Sequence, residues 1–307
     1  MSEKEFTLKE ALGLMNENSI EPQWCAGCGD FGELNVIKQT IAGLIVNKKI
    51  KDLAPHALVV VGGIGCAGQT PQYLNGYSLK VPHGRALPAA LGVKLARIDL
   101  TVVAQGGDGD AWAIGMGHFA NFAGWNADIT YIVTNNEVYG LTKGQTAPTA
   151  STTLKTGVSP WGPRKDPVNP IAIAISSGWT YVARAASVGK TKEGFDTRVF
   201  CQEVLEKAIL HKGASLVIFE TECPTYNKVK TAEWLRERVA PIREDHDVKD
   251  EIAAIKLSLT AADEKIPIGI YYEVEKPTMH ERLGVTEPLL SRDYPKEKLE
   301  HMMDEFV

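Results

Sequence analysis

The sequence predicts a doubly wound α/β domain on a mostly parallel sheet, and three observations lead there. Short apolar runs at 58–62 (LVVVG), 100–105 (LTVVAQ), 129–135 (ITYIVTN), 181–184 (YVAR) and 215–220 (SLVIFE) are continuous rather than alternating. Strands covered on both faces read this way. Helical candidates at 33–46, 86–97, 111–122 and 197–211 fall between these runs, and strand–helix alternation is the pattern of parallel crossovers. The 307 residues, 44% hydrophobic and 23% charged, suffice for a large core.

Taken in order, residues 1–24 read as an N-terminal arm. Its start, MSEKEFTLKE, lacks a signal-peptide apolar core, so a cytoplasmic location is expected. The α/β domain is expected over 25–226. No apolar run approaches the ~20 residues of a membrane span. The stretch 140–170 is rich in Gly, Pro, Ser and Thr, and a loop this long inside a domain is usually functional. Residues 227–307 are expected to form a charged C-terminal extension that makes contacts between subunits. The formal charge of −5 is concentrated there: Lys+Arg and Asp+Glu balance at 20 each over 1–226, against 13 and 18 beyond. That charge argues against nucleic acid as the main partner.

The stretch VVVGGIGCAGQT (59–70) imitates a dinucleotide-binding turn, with Gly63, Gly65 and Gly68 at G-x-G-x-x-G spacing. The fingerprint also needs a helix directly after the turn and an acidic residue some 20 positions on. Pro71, Asn75, Gly76 and Pro82 forbid a long helix, and no Asp or Glu occurs between Gly68 and Asp99. A phosphate loop at Gly189-Lys190-Thr191 fails as well, because Arg184 stands where its leading glycine belongs. The glycine turn leaves Cys66 unexplained.

A second stretch, GGDGDAWAIGMGHF (106–119), places Asp108 between Gly107 and Gly109, with Asp110 following, at a strand end before a helix expected from about Ala111. A helix mouth attracts a diphosphate, and a diphosphate brings Mg²⁺, which takes oxygen ligands. Asp108 offers a carboxylate, Asn136 an amide oxygen from the next strand end, and Val138 a backbone carbonyl. Singly, these are ordinary turns. Together they form G-D-G-x(25)-N-N, which resembles the motif of thiamine diphosphate enzymes.

Five cysteines, at 25, 28, 66, 201 and 223, are not expected to pair in a reducing compartment. The C-x-x-C pair Cys25/Cys28 suits zinc or an iron–sulfur cluster by residue type alone. The series W24-C25-A-G-C28-G-D, G-I-G-C66, H83-G-R-A, GGDGD, N-x-V-Y-G-L-T-K-G-Q and E-C223-P-T-Y resembles the β subunit of 2-oxoacid:ferredoxin oxidoreductases over about residues 20–230.

That resemblance implies a thiamine diphosphate-binding fold and CoA-dependent oxidative decarboxylation of a 2-oxoacid to acyl-CoA and CO₂. Electrons would pass from thiamine diphosphate through a 4Fe–4S cluster to ferredoxin. It implies Cys25, Cys28, Cys66 and one late cysteine as cluster ligands. Cys201 shares a helical stripe with Val204, Leu205 and Ala208 and suits a core, whereas Cys223 follows a strand end, so Cys223 is the expected fourth ligand. Cys66, His83, Gly107, Asp108, Gly109, Asp110, Asn136 and Leu141 would line the cofactor, with Mg²⁺ on Asp108, Asn136 and Val138. Arg85 and Lys143 are nearby candidates, while His118, His211 and Trp112 are expected only to pack. The activating glutamate is expected on an α partner, leaving the isolated chain inactive. A non-oxidative thiamine decarboxylase or synthase subunit, or an electron-transfer subunit without thiamine chemistry, are the competing readings. Gln69 and Gln72 offer only neutral donors, so the particular 2-oxoacid stays open.

Overall fold

Both faces of the central sheet are covered, which is why its strands are apolar at successive positions. The structure, a computed structural model, describes residues 6–17, 19–50, 53–186, 188–260 and 264–288. In chain order it forms α1 (Leu8–Asn16), α2 (Asp30–Val46), β1 (Leu58–Gly62), β2 (Tyr77–Lys80), α3 (Ala86–Ala96), β3 (Thr101–Gly107), α4 (Met116–Trp125) and β4 (Ile129–Asn135). A small hairpin follows, β5 (Val138–Tyr139) and β6 (Gln145–Thr146), then α5 (Pro170–Ser177), β7 (Tyr181–Ala186), α6 (Thr197–Leu210) and β8 (Ala214–Glu220). The chain continues through α7 (Ala232–Arg238), β9 (Val239–Pro241), α8 (Glu251–Ser258), β10 (Ile266–Glu273) and α9 (Met279–Leu283).

The main sheet runs in the order β2-β1-β3-β4-β8-β7-β10-β9. Strands from β2 to β7 pair in parallel, and β10 joins β7 antiparallel. Val60, Val103, Ile132 and Val217 pack on one face with α2 and α6, while Val59, Val102, Tyr131, Val133 and Leu216 pack on the other with α3, α4 and α5. The side chains of these inner strands therefore meet a helix layer on either face.

Several segments depart from the sequence expectations, edge strand β2 among them. The residues after Gly109 do not enter an α-helix at once: Asp110–Ile114 form a π turn, and α4 begins at Met116. Such turns recur at functional sites. The N-terminal arm holds α1, started by a Thr7/Glu10 capping box, and α1 buries Ala11 and Met15 completely. The expected loop 140–170 contains β6 and ends where Asn169 caps α5. The charged extension is not simply an arm: β10 buries Ile266, Ile268 and Tyr271 inside the main sheet. Charged neighbours on either side conceal this strand in the sequence. The remaining expectations for 1–5 and 289–307 lie outside the described residues. Among those described, no helix is long and apolar enough to cross a membrane.

Candidate active site at the carboxyl edge of the sheet

The parallel strands β1, β3, β4 and β8 end side by side, so the segments after Gly62, Gly107, Asn135 and Glu220 meet along one edge. Ligand sites of open α/β sheets form there. One pocket at this edge is lined by Gly65, Cys66, His83, Gly107, Asp108, Gly109, Asp110, Asn136, Val138 and Leu141, among others. The expected cofactor residues are thus brought together.

Asp108 is buried and bonded to the backbone around it. Its Oδ1 accepts the Gly109 N–H at 2.7 Å, and its Oδ2 accepts the N–H groups of Asn136 (3.1 Å) and Glu137 (2.6 Å). Burial pushes this carboxyl up to about 7, against the pull of those amides and the Lys230 charge. A divalent cation would reverse that shift and hold the group ionised. Asn136 Oδ1 accepts from the Val138 N–H at 3.1 Å. Between them Glu137 adopts φ +68°, a left-handed conformation costing about 1–2 kcal/mol for a residue with a side chain.

Asp110 braces the pocket wall. Its Oδ1 accepts from Ile64 N (3.1 Å) and Gly84 N (2.8 Å) and pairs with His83 Nδ1 (2.7 Å). Three loops converge on this oxygen. A Cβ on Gly63 would lie 2.2 Å from Asp110 Oδ2, so the first glycine of the opening turn is required by close approach. His83 also stands edge-on to Tyr139, 6.2 Å between centroids. Leu141 lies in the pocket rim, and Lys143 is exposed beyond it. Arg85 is exposed, its guanidinium bonded to the carbonyls of Gly84 and Ile114.

Cys25, Cys28, Cys66 and Cys223 approach from three loops. Cys28 N donates to Cys25 O at 3.0 Å, closing the C-x-x-C turn immediately before α2. Trp24 Nε1 donates to the Cys66 carbonyl at 2.9 Å and ties that turn to the next loop. Gly29 N donates to Glu222 O at 3.2 Å, and a Cβ on Gly29 would strike Thr221 and Glu222 within 2.9 Å. A side chain there would push the Cys28 and Cys223 loops apart. A Cβ on Gly140 would sit 3.4 Å from the Cys66 sulfur and 3.7 Å from that of Cys223, so both sulfurs face the same bare backbone.

The thiols sense one another: Cys66 and Cys223 both act on Cys28, and Cys223 and Cys25 both act on Cys66. Burial first, then the Asp30 carboxyl, pushes Cys66 up to about 12 and Cys28 strongly in the same direction. As bare thiols they are neutral, and a metal core would deprotonate them. Burial also raises Cys223, opposed by the nearby backbone N–H groups of Tyr226, Thr225 and Asn227. The Asn227 N–H donates to the Cys223 carbonyl at 2.9 Å. Backbone N–H groups close to a sulfur favour its thiolate. Among the described residues, no three His, Cys, Asp or Glu side chains form a group for a single metal ion. Cys201 lies elsewhere, fully buried in α6, where its sulfur accepts from Ala186 N at 3.3 Å.

Several polar residues of the site were not among the expected site residues. Glu33 on α2 is buried beneath the pocket and accepts from Gln105 Nε2 (2.7 Å) and Thr134 Oγ1 (2.8 Å). Burial, then the neighbouring Asp30, pushes Glu33 up to about 8. Asp30 itself is pushed up to about 7 by burial. Asn227 Nδ2 donates to Asn136 O at 3.0 Å. The Lys230 ammonium donates to Asn135 O at 2.8 Å and pairs with Glu220, which also meets Arg184 at 3.1 Å. Nothing in their local sequence marks them as buried; Lys230, for example, sits in the polar run TYNKVKTAEW. His211 and Trp112 pack, the former against Thr180 and Tyr181 and the latter against Phe119.

Comparison with known proteins agrees with this arrangement. Residues 63–219 match the thiamine pyrophosphate enzyme C-terminal TPP-binding domain, and residues 223–287 match the C-terminal family of the pyruvate ferredoxin oxidoreductase β chain. The chain is 38% identical to the β subunit of 2-oxoacid:ferredoxin oxidoreductase 2 of Aeropyrum pernix, covering 85% of this chain and 83% of that one. It is 40% identical to the β subunit of a Sulfolobus 2-oxoacid:ferredoxin oxidoreductase, with 86% of each covered. A solved 2-oxoglutarate:ferredoxin oxidoreductase from Magnetococcus marinus, holding 2-oxoglutarate, coenzyme A and succinyl-CoA, superimposes with a TM-score of 0.82. It is 33% identical, and the match covers 98% of this chain and 97% of the other. The strand-edge site and these matches together place the chain in one family: it belongs to the β subunits of the 2-oxoacid:ferredoxin oxidoreductases.

Proposed function

We propose that this chain, joined to an α partner, oxidatively decarboxylates a 2-oxoacid to acyl-CoA and CO₂ and passes the electrons through a 4Fe–4S cluster to ferredoxin. What supports the reading is a single juxtaposition: Cys25, Cys28, Cys66 and Cys223 approach the same edge as Asp108, Asn136 and Val138, and Cys66 lines the pocket with the latter three. Bound there, thiamine diphosphate would supply the carbanion-stabilising chemistry of decarboxylation and the cluster would accept single electrons.

The residues have separable tasks in this proposal. Asp108, Asn136 and the Val138 carbonyl hold Mg²⁺, and the bare backbone at Gly107 and Gly109 lets the diphosphate approach. Cys25, Cys28, Cys66 and Cys223 hold the cluster, with Gly140 leaving space in front of two of them. Asp110 fixes the orientation of the His83 ring through Nδ1. Leu141 shields the mouth of the pocket from water. Among the described residues lining this pocket there is no Lys or Arg, so recognition of a second substrate carboxylate would fall to the partner.

The test is an anaerobic preparation of the chain co-expressed with its α partner, assayed with pyruvate, 2-oxobutyrate and 2-oxoglutarate. The expected result is CoA-dependent reduction of ferredoxin by at least one acid, visible absorbance that dithionite bleaches, and no turnover by the isolated chain. A colourless, zinc-loaded complex would overturn the proposal.

A further inference from the structure

We propose that Lys230 is the positioning residue that holds the metal-binding turn 135–138 in shape, acting from the same 223–230 segment that carries Cys223. This rests on the thiamine–magnesium reading above and adds a residue that is not itself a ligand.

The turn needs an external hold because Glu137, between the two residues assigned to the metal, is in the left-handed region at φ +68°. Four contacts keep it there. Its N–H donates to Asp108 Oδ2 (2.6 Å), its carbonyl accepts from Ala147 N (2.9 Å), its Oε2 accepts from Ser151 N (3.0 Å), and its Oε1 lies 3.6 Å from Lys230 Nζ. The same ammonium donates to Asn135 O at 2.8 Å, so Lys230 grips the residues on either side of Asn136. Asn227, from the same segment, takes the carbonyl of Asn136 itself.

Metal binding draws on the Asp108 contact, because that carboxylate must then serve the ion as well as three backbone amides. The Lys230 contact lies outside the ligand set and is not drawn upon. Lys230 is buried, as are its partner Glu220 and, in larger part, Glu137 and Arg184. Two cations thus face two anions, and burial opposes the Lys230 charge less than Glu220, Glu137 and Asp108 favour it. Glu220 Oε2 also accepts from Asn135 Nδ2 at 3.0 Å, so the variant that neutralises Glu220 as well separates holding the turn from merely balancing Glu220.

The experiment uses the α/β complex with Lys230→Met and, as a second variant, Lys230→Met with Glu220→Gln, which keeps the remaining buried cation and anion balanced. Mn²⁺ binding in the presence of thiamine diphosphate is followed by electron paramagnetic resonance, and the cluster by its own spectrum. The expected result is Mn²⁺ affinity weakened about 10–100-fold in both variants, the scale for loss of a group that orients metal ligands. Activity should return toward wild type at saturating Mg²⁺ and thiamine diphosphate, with the cluster spectrum unchanged. Wild-type affinity in variants that retain the cluster overturns the proposal, and so does loss of the cluster with metal affinity intact. Failure of the wild-type complex to bind Mn²⁺ with thiamine diphosphate would instead sink the underlying functional reading.

Discussion

Around Asp108, both carboxylate oxygens already accept backbone N–H groups and the Asn136 amide is tied to its own turn. Around the cysteines, no N–H or O–H donor among the described residues reaches either oxygen of the buried Asp30, nor Oε2 of Glu222. Burial holds the Cys28 and Cys66 thiols, and the Asp30 and Glu222 carboxyls, toward their neutral forms. The oxygen side is therefore a preformed, hydrogen-bonded scaffold, whereas the sulfur side leaves buried acid oxygens without N–H or O–H donors. In the proposed function, a metal core would take up the thiolate charge on that side. The two sides are then expected to answer differently to loss of their ligand, and that difference can be tested.

The largest effects should come from removing one anchor on each side. In the α/β complex, Cys223→Ser is expected to abolish the visible iron–sulfur absorbance and the 2-oxoacid-dependent electron transfer, while thiamine diphosphate still binds. Asp108→Ala should do the reverse, weakening Mn²⁺–thiamine diphosphate binding by at least about 100-fold with the cluster retained. Iron and sulfide analysis beside a cofactor titration checks both. Should each substitution destroy both sites equally, the distinction between a preformed and an incomplete side is lost.

A smaller effect concerns Glu33, which reaches from α2, the helix that follows the Cys25/Cys28 turn, to the pocket-lining Thr134. Its folded pKa stands at about 8, above the usual 4.5. The folded chain then binds more protons between those values, and the contribution of Glu33 to stability falls as pH rises from about 4.5 to 8. Glu33→Gln removes that titration while keeping an acceptor for Thr134. The melting temperature of the variant should gain on the wild type by a few degrees across pH 5–8.5. Parallel curves would show that Glu33 is already ionised in the native protein.

The smallest change is expected from Cys201→Ala. Its sulfur is buried in α6 against Ala186, outside the site. The variant should keep its full iron content and turnover and lose about 1 kcal/mol of stability, the cost of one small buried group. Loss of iron here would move the fourth ligand from Cys223 to Cys201.

Five strands, four helices and the main site motifs were legible because each is written in a short window. Continuous apolar runs mark β1, β3, β4, β7 and β8, and Gly-Asp-Gly and Cys-x-x-Cys mark strand and helix ends whose chemistry is local. The departures share a different cause. The run IPIGIYYE becomes β10 because β7 has an open edge for it, and no window around 266–273 contains that edge. Edge strand β2 is exposed throughout, so its apolar pattern is weak. The π turn at Asp110 answers to Ile64, His83 and Gly84, residues far back in the chain.

Chemical identity lay in the residues themselves: which side chains can bind soft metal or magnesium, and which strand end presents each one, follow from residue type and nearest neighbours. Environment lay with the tertiary structure. Glu33, Asp30, Glu220, Arg184 and Lys230 look like ordinary surface charges in the sequence, and only packing removes their water and sets them against one another. Charge state and backbone strain depend on distances between remote segments, and those distances exist only once the sheet has closed.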